Sequence, residues 1–219
     1  MVHAALKGWG AEHPNILRYL DRLNREDVSW GIFSGFVLKT AGVRETADID
    51  LLLSEGSFDA AASLLPNARL DNECHVAIQC VDGDSVQLST REATAVIDGT
   101  AVQLMQPAPM YSRLGGRYHL AMTPLAANAR RHYGVHGTSV FMANPADTVL
   151  AKAVMRRQGA GKQDALDMVH IAHRYTIDRS YLADRAQEIG LDEPANNFLV
   201  HHTGHSALTG SDTYHALAA

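Results

Sequence analysis

The segment RETADIDLLLSE, residues 44–55, constrains the fold more than any other stretch of this chain. Ile49, Leu51, Leu52 and Leu53 form an apolar run of strand length, which reads as a core strand. Its leading edge nevertheless carries Asp48 and Asp50. Residues two apart on a strand point to the same face, so both carboxylates aim in one direction while Ile49 faces the core. Like charges held that close repel, and removing them from water is costly unless something positive compensates. A divalent cation does this well: Mg²⁺ takes oxygen ligands and is commonly held by one or two carboxylates plus substrate phosphates. The plain alternative is a strand end with both acids solvated.

The segments before this strand favour the cation. VSWGIFSG (28–35) reads as a strand ending in a turn at Ser34-Gly35, and FVLKTAG (36–42) as a short helix closed by Gly42. Twelve residues separate Gly35 from Asp48. Glycine lets a backbone approach a phosphate closely, and the start of the following helix offers free N–H groups and a positive dipole end. A phosphate cradle beside a paired-carboxylate metal site is the expected layout.

The remaining pattern predicts an α+β chain. PNILRYLDRLNRE (14–26) has helical spacing, with Pro14 in its first turn, and SFDAAASLLP is a helix stopped by Pro66. ECHVAIQC and DSVQLST flank VDGD as a hairpin, and TAVIDGTAVQLMQP repeats the logic around Asp98-Gly99. A helix is predicted over 123–133 with Thr123 as cap, then a strand at 138–143 and a helix begun by Asn144 and Pro145. GAGK interrupts, further helices follow, and the tail from Asp192 is read as helical with a frayed end. The expected architecture is a mixed β-sheet core with flanking helices over 1–143, followed by a helical C-terminal region, 144–219.

Composition bounds the setting. The chain has 219 residues, 46% of them hydrophobic, enough to bury a real core. No apolar run approaches the roughly 18 residues of a membrane span. The N-terminus lacks a basic region followed by an apolar one, so a cytoplasmic protein with Cys74 and Cys80 reduced is expected, without a membrane partner. The net charge is −5, but from Arg113 to Arg157 seven basic residues face Asp147 alone. That +6 segment suggests a local anionic partner such as phosphate, or simply a solvated basic face.

On the Ser34-Gly35 turn and the Asp48-Ile-Asp50 strand, the chain resembles the nucleotidyltransferase superfamily related to DNA polymerase β. Arg44, Thr46, Asp48 and Asp50 match the Arg-x-Thr-x-Asp-x-Asp pattern of its AbiEii-type toxin branch. The block NPADTVLAKAVMRRQGAGKQDALDMVHI (144–171) resembles that family's downstream helices, and the resemblance covers about residues 28–175. Two departures stand out. Gly35 is followed by Phe36 where many members have two small residues. Gln103, in VQLMQP, occupies the place of a third carboxylate, for which Asp98, Asp84 or Glu92 are the candidate substitutes.

The resemblance implies a metal-dependent enzyme moving a nucleoside monophosphate from an NTP to a hydroxyl. Asp48 and Asp50 would hold Mg²⁺. Ser34, Gly35, Arg44 and Thr46 would line the nucleotide site. Lys152 and Arg156, four apart and so expected on one helix face, would neutralise the leaving pyrophosphate. Asp164 would orient Lys152 or act as base. The acceptor implied for the toxin branch is a tRNA 3′ end or a protein, with a separate antitoxin. An aminoglycoside- or lincosamide-modifying transferase and a degenerate nucleotide-binding module are the alternatives. Weaker patterns carry less. GAGKQ (159–163) lacks the rest of a P-loop. His170 with His173, and His201, His202 and His205, lack companion ligands. Arg113 to Arg117, with Arg130 and Arg131, read as basic surface.

Overall fold

The computed structural model describes residues 2–159 and 162–208. Part of the GAGK interruption, residues 160–161, and the end of the tail, 209–219, lie outside the described residues. The first half runs α1 (Val2–Glu12), α2 (Pro14–Arg25), β1 (Trp30–Phe33), α3 (Gly35–Thr40), β2 (Asp48–Leu53), α4 (Phe58–Leu64), β3 (Arg69–Gln79), β4 (Ser85–Ile97) and β5 (Thr100–Met105). Then come β6 (Pro109–Ser112), β7 (Arg117–His119), α5 (Pro124–Ala129), β8 (Arg131–Val135) and β9 (Thr138–Met142). The C-terminal part is α6 (Pro145–Met155), the small hairpin β10 (Gln158–Gly159) and β11 (Lys162–Gln163), and the helices α7 (Asp164–Arg174), α8 (Arg179–Ile189) and α9 (Glu193–Thr203).

Nine strands form one mixed sheet in the order β7-β6-β4-β5-β2-β1-β9-β8, with β3 on the other side of β4. The leucine-rich β2 lies inside it, antiparallel to β1 and parallel to β5. Its burial explains its composition. Ile49, Leu51 and Leu53 enter the main core, while Leu52, on the carboxylate face, packs with Met122 and Ala126 in a smaller cluster. A strand covered on both faces reads as a continuous apolar run.

Local chemistry sets the boundaries. The Asp98-Gly99 turn joining β4 to β5 has positive φ at both residues, 51° and 77°, as a tight two-residue hairpin requires. Thr123 caps α5 by accepting from the Ala126 N–H, and Asn144 caps α6 by accepting from the Ala146 N–H. Asp178 and Asp192 cap α8 and α9. On α2, Ile16, Leu17, Leu20 and Leu23 are buried, as their spacing predicts.

The expected α+β architecture is what the chain adopts, with differences in detail. The helix predicted over 123–133 stops at Ala129, and 131–135 becomes β8, paired antiparallel with β9. Arg130 is extended there; it stacks 3.8 Å over the Phe141 ring and donates to the Trp30 carbonyl, so sheet pairing overrides a helix-prone sequence. DSVQLST and TAVID are one strand, because β3 flanks much of β4 on one side while β6 and β5 share its other side. The short strands β6 and β7 and the helix α1, whose Leu6 and Trp9 are buried, are further elements of the fold.

A single buried apolar cluster extends from Leu6 to Ala207 and includes sheet and C-terminal helices alike. Cys74 and Cys80 are free thiols. Among the described residues no helix is long and apolar enough to cross a membrane.

Candidate active site

The carboxylate face of β2 opens onto a cavity of about 300 Å³. Its polar wall includes Ser34, Asp48, Asp50, Glu92, Gln103, Arg157 and Lys162; its apolar wall combines β2 leucines, Val76, Ile78 and Leu88 of the β3–β4 hairpin, and Met105, Met110 and Met155. Each polar residue arrives by a different route. Asp48 and Asp50 come from alternate positions of β2. Ser34 sits in the turn between β1 and α3 with φ at +58°, a strained conformation for a residue with a side chain. Arg157 and Lys162 come from the segment joining α6 to α7.

The electrostatics follow from this placement. Burial, and then the charge of Asp48, push the Asp50 carboxyl up to about 6; Lys162, a hydrogen bond from Ser34, and Arg157 pull against that rise. Asp48 accepts a hydrogen bond from the Thr46 hydroxyl. A Cβ at Gly35 would stand 2.9 Å from that same hydroxyl oxygen, so glycine there leaves Thr46 free to hold Asp48. The pair fits a hard divalent cation: two carboxylates share one face of a strand and border an open cavity, where burial and then the charge of Asp48 raise the Asp50 pKa. Among the described residues no group of three or more His, Cys, Asp or Glu is placed to hold a metal, so further ligands would be phosphate oxygens and water. The histidines singled out above form no such group either.

Of the expected site residues, Ser34, Asp48 and Asp50 line the cavity, with Gly35 and Thr46 directly behind them. Lys152 lies elsewhere. Its side chain is 2% exposed between α6 and α7, where Nζ donates to Asp164 at 3.0 Å and to Asp167 at 2.6 Å. Those carboxylates pass the connection on. Asp164 accepts from the Arg157 backbone N–H at 2.8 Å and from its guanidinium at 2.9 Å, and Asp167 lies 3.1 Å from the Arg44 guanidinium. Burial raises the Asp164 pKa, but the Arg157 hydrogen bonds and the Lys152 charge outweigh it and hold the group below the ordinary carboxylate range. Lys152, Asp164, Asp167 and Arg44 thus form one ion network, buried at the lysine and both carboxylates and partly exposed at Arg44.

Arg156 does not share a face with Lys152. It takes a left-handed conformation (φ 46°, ψ 42°) that ends α6, and its fully buried guanidinium turns to Asp82 and Asp84 at the β3–β4 turn. The i, i+4 relation fails because the helix has already stopped. The next residue, Arg157, points to the cavity instead. Lys162, within the GAGKQ segment, lines it without any P-loop. Sequence reasoning missed both as site residues; the signal available was the density of cations in RRQGAGK.

The third-carboxylate question has a register answer. Gln103 on β5 pairs with Asp50 on β2, so an amide stands beside the acid. Asp98 is occupied at the N-terminus of α2, accepting from the Asn15 side chain and from the Asn15 and Ile16 N–H groups. Asp84 is buried with Ser112 and Arg156. Glu92 lines the cavity.

No family model matches the chain, and a search of curated proteins found no match. Solved structures to which the chain is similar include the Thermotoga maritima protein TM1012, described as a nucleotidyltransferase, at 19% identity over 60% of this chain and 78% of that one (TM-score 0.43). The antibiotic-resistance factor ANT(2'')-Ia is 12% identical over 79% of this chain and 90% of its own (0.45). An antigenic nucleotidyltransferase-like protein from Paracoccidioides brasiliensis is 11% identical over 92% and 95% (0.45).

Proposed function

We propose that this chain is a metal-dependent nucleotidyltransferase that moves a nucleoside monophosphate from an NTP to a hydroxyl acceptor. The observation that carries this reading is the shared cavity: two repelling carboxylates, a strained Ser-Gly turn and two cations converge on it. Asp48 and Asp50 would hold Mg²⁺, which supplies neutralisation of phosphate charge when bound. Ser34 binds a phosphate oxygen through its hydroxyl, and Gly35 keeps the backbone close. Arg157 and Lys162 take the role expected of Lys152 and Arg156: they stabilise the charge that develops on the departing pyrophosphate. Lys152 and Asp164 are positioning residues in this scheme. Lys152 fixes Asp164, and Asp164 fixes Arg157.

The acceptor is the finer part of the proposal. The AbiEii-type pattern at Arg44, Thr46, Asp48 and Asp50 supports a toxin acting on a tRNA 3′ end or a protein, with a separate antitoxin. A nucleotide-binding module without turnover is the second reading, favoured by the amide of Gln103 beside Asp50. Incubation with each α-labelled NTP and Mg²⁺, in the presence of total tRNA, an aminoglycoside or a lincosamide, separates these. Label on RNA supports the toxin reading, and label on drug an antibiotic-modifying one. Nucleotide binding with no labelled product supports the module. Growth arrest on expression, relieved by Asp48→Ala, is the expected cellular sign of a toxin.

A further inference from the structure

Transfer to a hydroxyl needs a group that takes the proton, and the cavity limits the choice. Asp48 and Asp50 are committed to cation charge, and the Gln103 amide cannot accept a proton at neutral pH. Among the residues lining the cavity, Glu92 is the remaining carboxylate. The sheet register places it. Asp50 pairs with Gln103 and Gln103 with Thr94, so all three share one face; Glu92, two residues from Thr94 along β4, shares it as well and pairs with Met105. Among the described residues Glu92 makes no ion pair, and its contact is a 3.4 Å hydrogen bond from the Cys74 thiol. The thiol is a neutral, weak donor, so no cation occupies this carboxylate. The other two candidate acids are bound into structural contacts at the α2 terminus and at Arg156.

We infer that Glu92 is the general base for the acceptor, a carboxylate moved one strand outward from the position that Gln103 fills. The inference rests on the transferase reading. The hydroxyl proton passes to a Glu92 carboxylate oxygen as the acceptor oxygen bonds to the α-phosphorus. The bond from that phosphorus to the bridging oxygen breaks, and pyrophosphate leaves with the electron pair. The acceptor hydroxyl therefore enters between β2 and β4, over Gln103 and Met105.

The test compares wild type, Glu92→Gln, and Glu92→Gln combined with Gln103→Glu, using α-labelled NTPs, Mg²⁺, and total tRNA, kanamycin or lincomycin as acceptors. Glu92→Gln keeps the side-chain shape. Its expected effect is a loss of transfer on the order of 100-fold or more, the usual scale for a general base. NTP affinity, measured by calorimetry, stays within about twofold of wild type, since a twofold change is well under 1 kcal/mol. Gln103→Glu restores part of the rate. Transfer by Glu92→Gln at the wild-type rate overturns the assignment alone, as does a loss of NTP affinity equal to the loss of transfer. Wild-type protein that labels neither these acceptors nor the proteins of a cell lysate overturns the assignment together with the reading it rests on.

Discussion

Replacing Asp50 with Asn keeps the outline of the side chain and removes a charge that burial and Asp48 both oppose. The sign of the stability effect follows from the raised pKa. An acid that titrates near 6 in the folded chain and near 3.8 when unfolded binds its proton more tightly in the fold. Folding is therefore undisturbed by this group below the unfolded value. Stability falls as pH rises from there to about 6, and the full cost persists above. In metal-free buffer, Asp50→Asn is expected to match wild type at pH 4 and to exceed it by ~1–3 kcal/mol at pH 7.5. On the proposed transferase reading, the same change is expected to abolish NMP transfer. Denaturant titrations in EDTA at the two pH values measure the gap, and a gap that does not widen with pH sinks this account of the pair. Asp50 and its neighbours were legible in the sequence because strand periodicity is exact at short range: two residues on a strand share a face whatever the rest of the chain does.

The end of α6 shows where such reading stops. Helical spacing predicts that Lys152 and Arg156 face together only while the helix continues, and a left-handed residue at 156 ends it. Nothing in RRQGAGK marks that residue, since arginine carries no preference for positive φ. Its guanidinium pairs with Asp82 and Asp84, more than seventy positions away in sequence, and pairing at that range has no local signature. The strand at Arg131–Val135 escaped for the same reason, its pairing with β9 overruling a sequence that reads as helix. The two arginines consequently separate stability from binding. Arg156→Met leaves Asp84 buried without its cation and is expected to cost ~3–5 kcal/mol while NTP affinity holds. Arg157→Met, at a half-buried position facing the cavity, is expected to weaken NTP binding ~10-fold, about 1.4 kcal/mol, with a smaller stability loss. Calorimetric titration with a non-hydrolysable NTP, paired with chemical denaturation, checks both. The reverse pattern would return the phosphate contact to Arg156.

Across the whole molecule the charge pattern changes meaning once folded. The +6 stretch is no continuous basic face: Lys152 and Arg156 are buried against acids, and Arg130 lies on Phe141. What the cations of α6 and the helices around it do is join the C-terminal helices to the sheet. Arg185 on α8 makes the same kind of link. It is fully buried, donates to Asp147 on α6 at 2.7 Å and to the Ala121 carbonyl beyond β7, and Tyr181 adds a second hydrogen bond to Asp147. With one apolar cluster running from Leu6 to Ala207, loss of this link should be felt at the far end of the fold. Arg185→Met strands the Asp147 carboxylate and is expected to cost ~3–5 kcal/mol. Trp9 and Trp30 both lie in the N-terminal part of that cluster, so their emission reports on the sheet side, whereas far-UV circular dichroism reports on all helices. If sheet and helices are one cooperative unit, both probes shift together and by the same amount in the variant. A dichroism transition that moves while tryptophan emission stays at its wild-type midpoint would instead divide the chain near residue 143, leaving a sheet domain that folds without its helices and a cavity whose cationic wall can come and go.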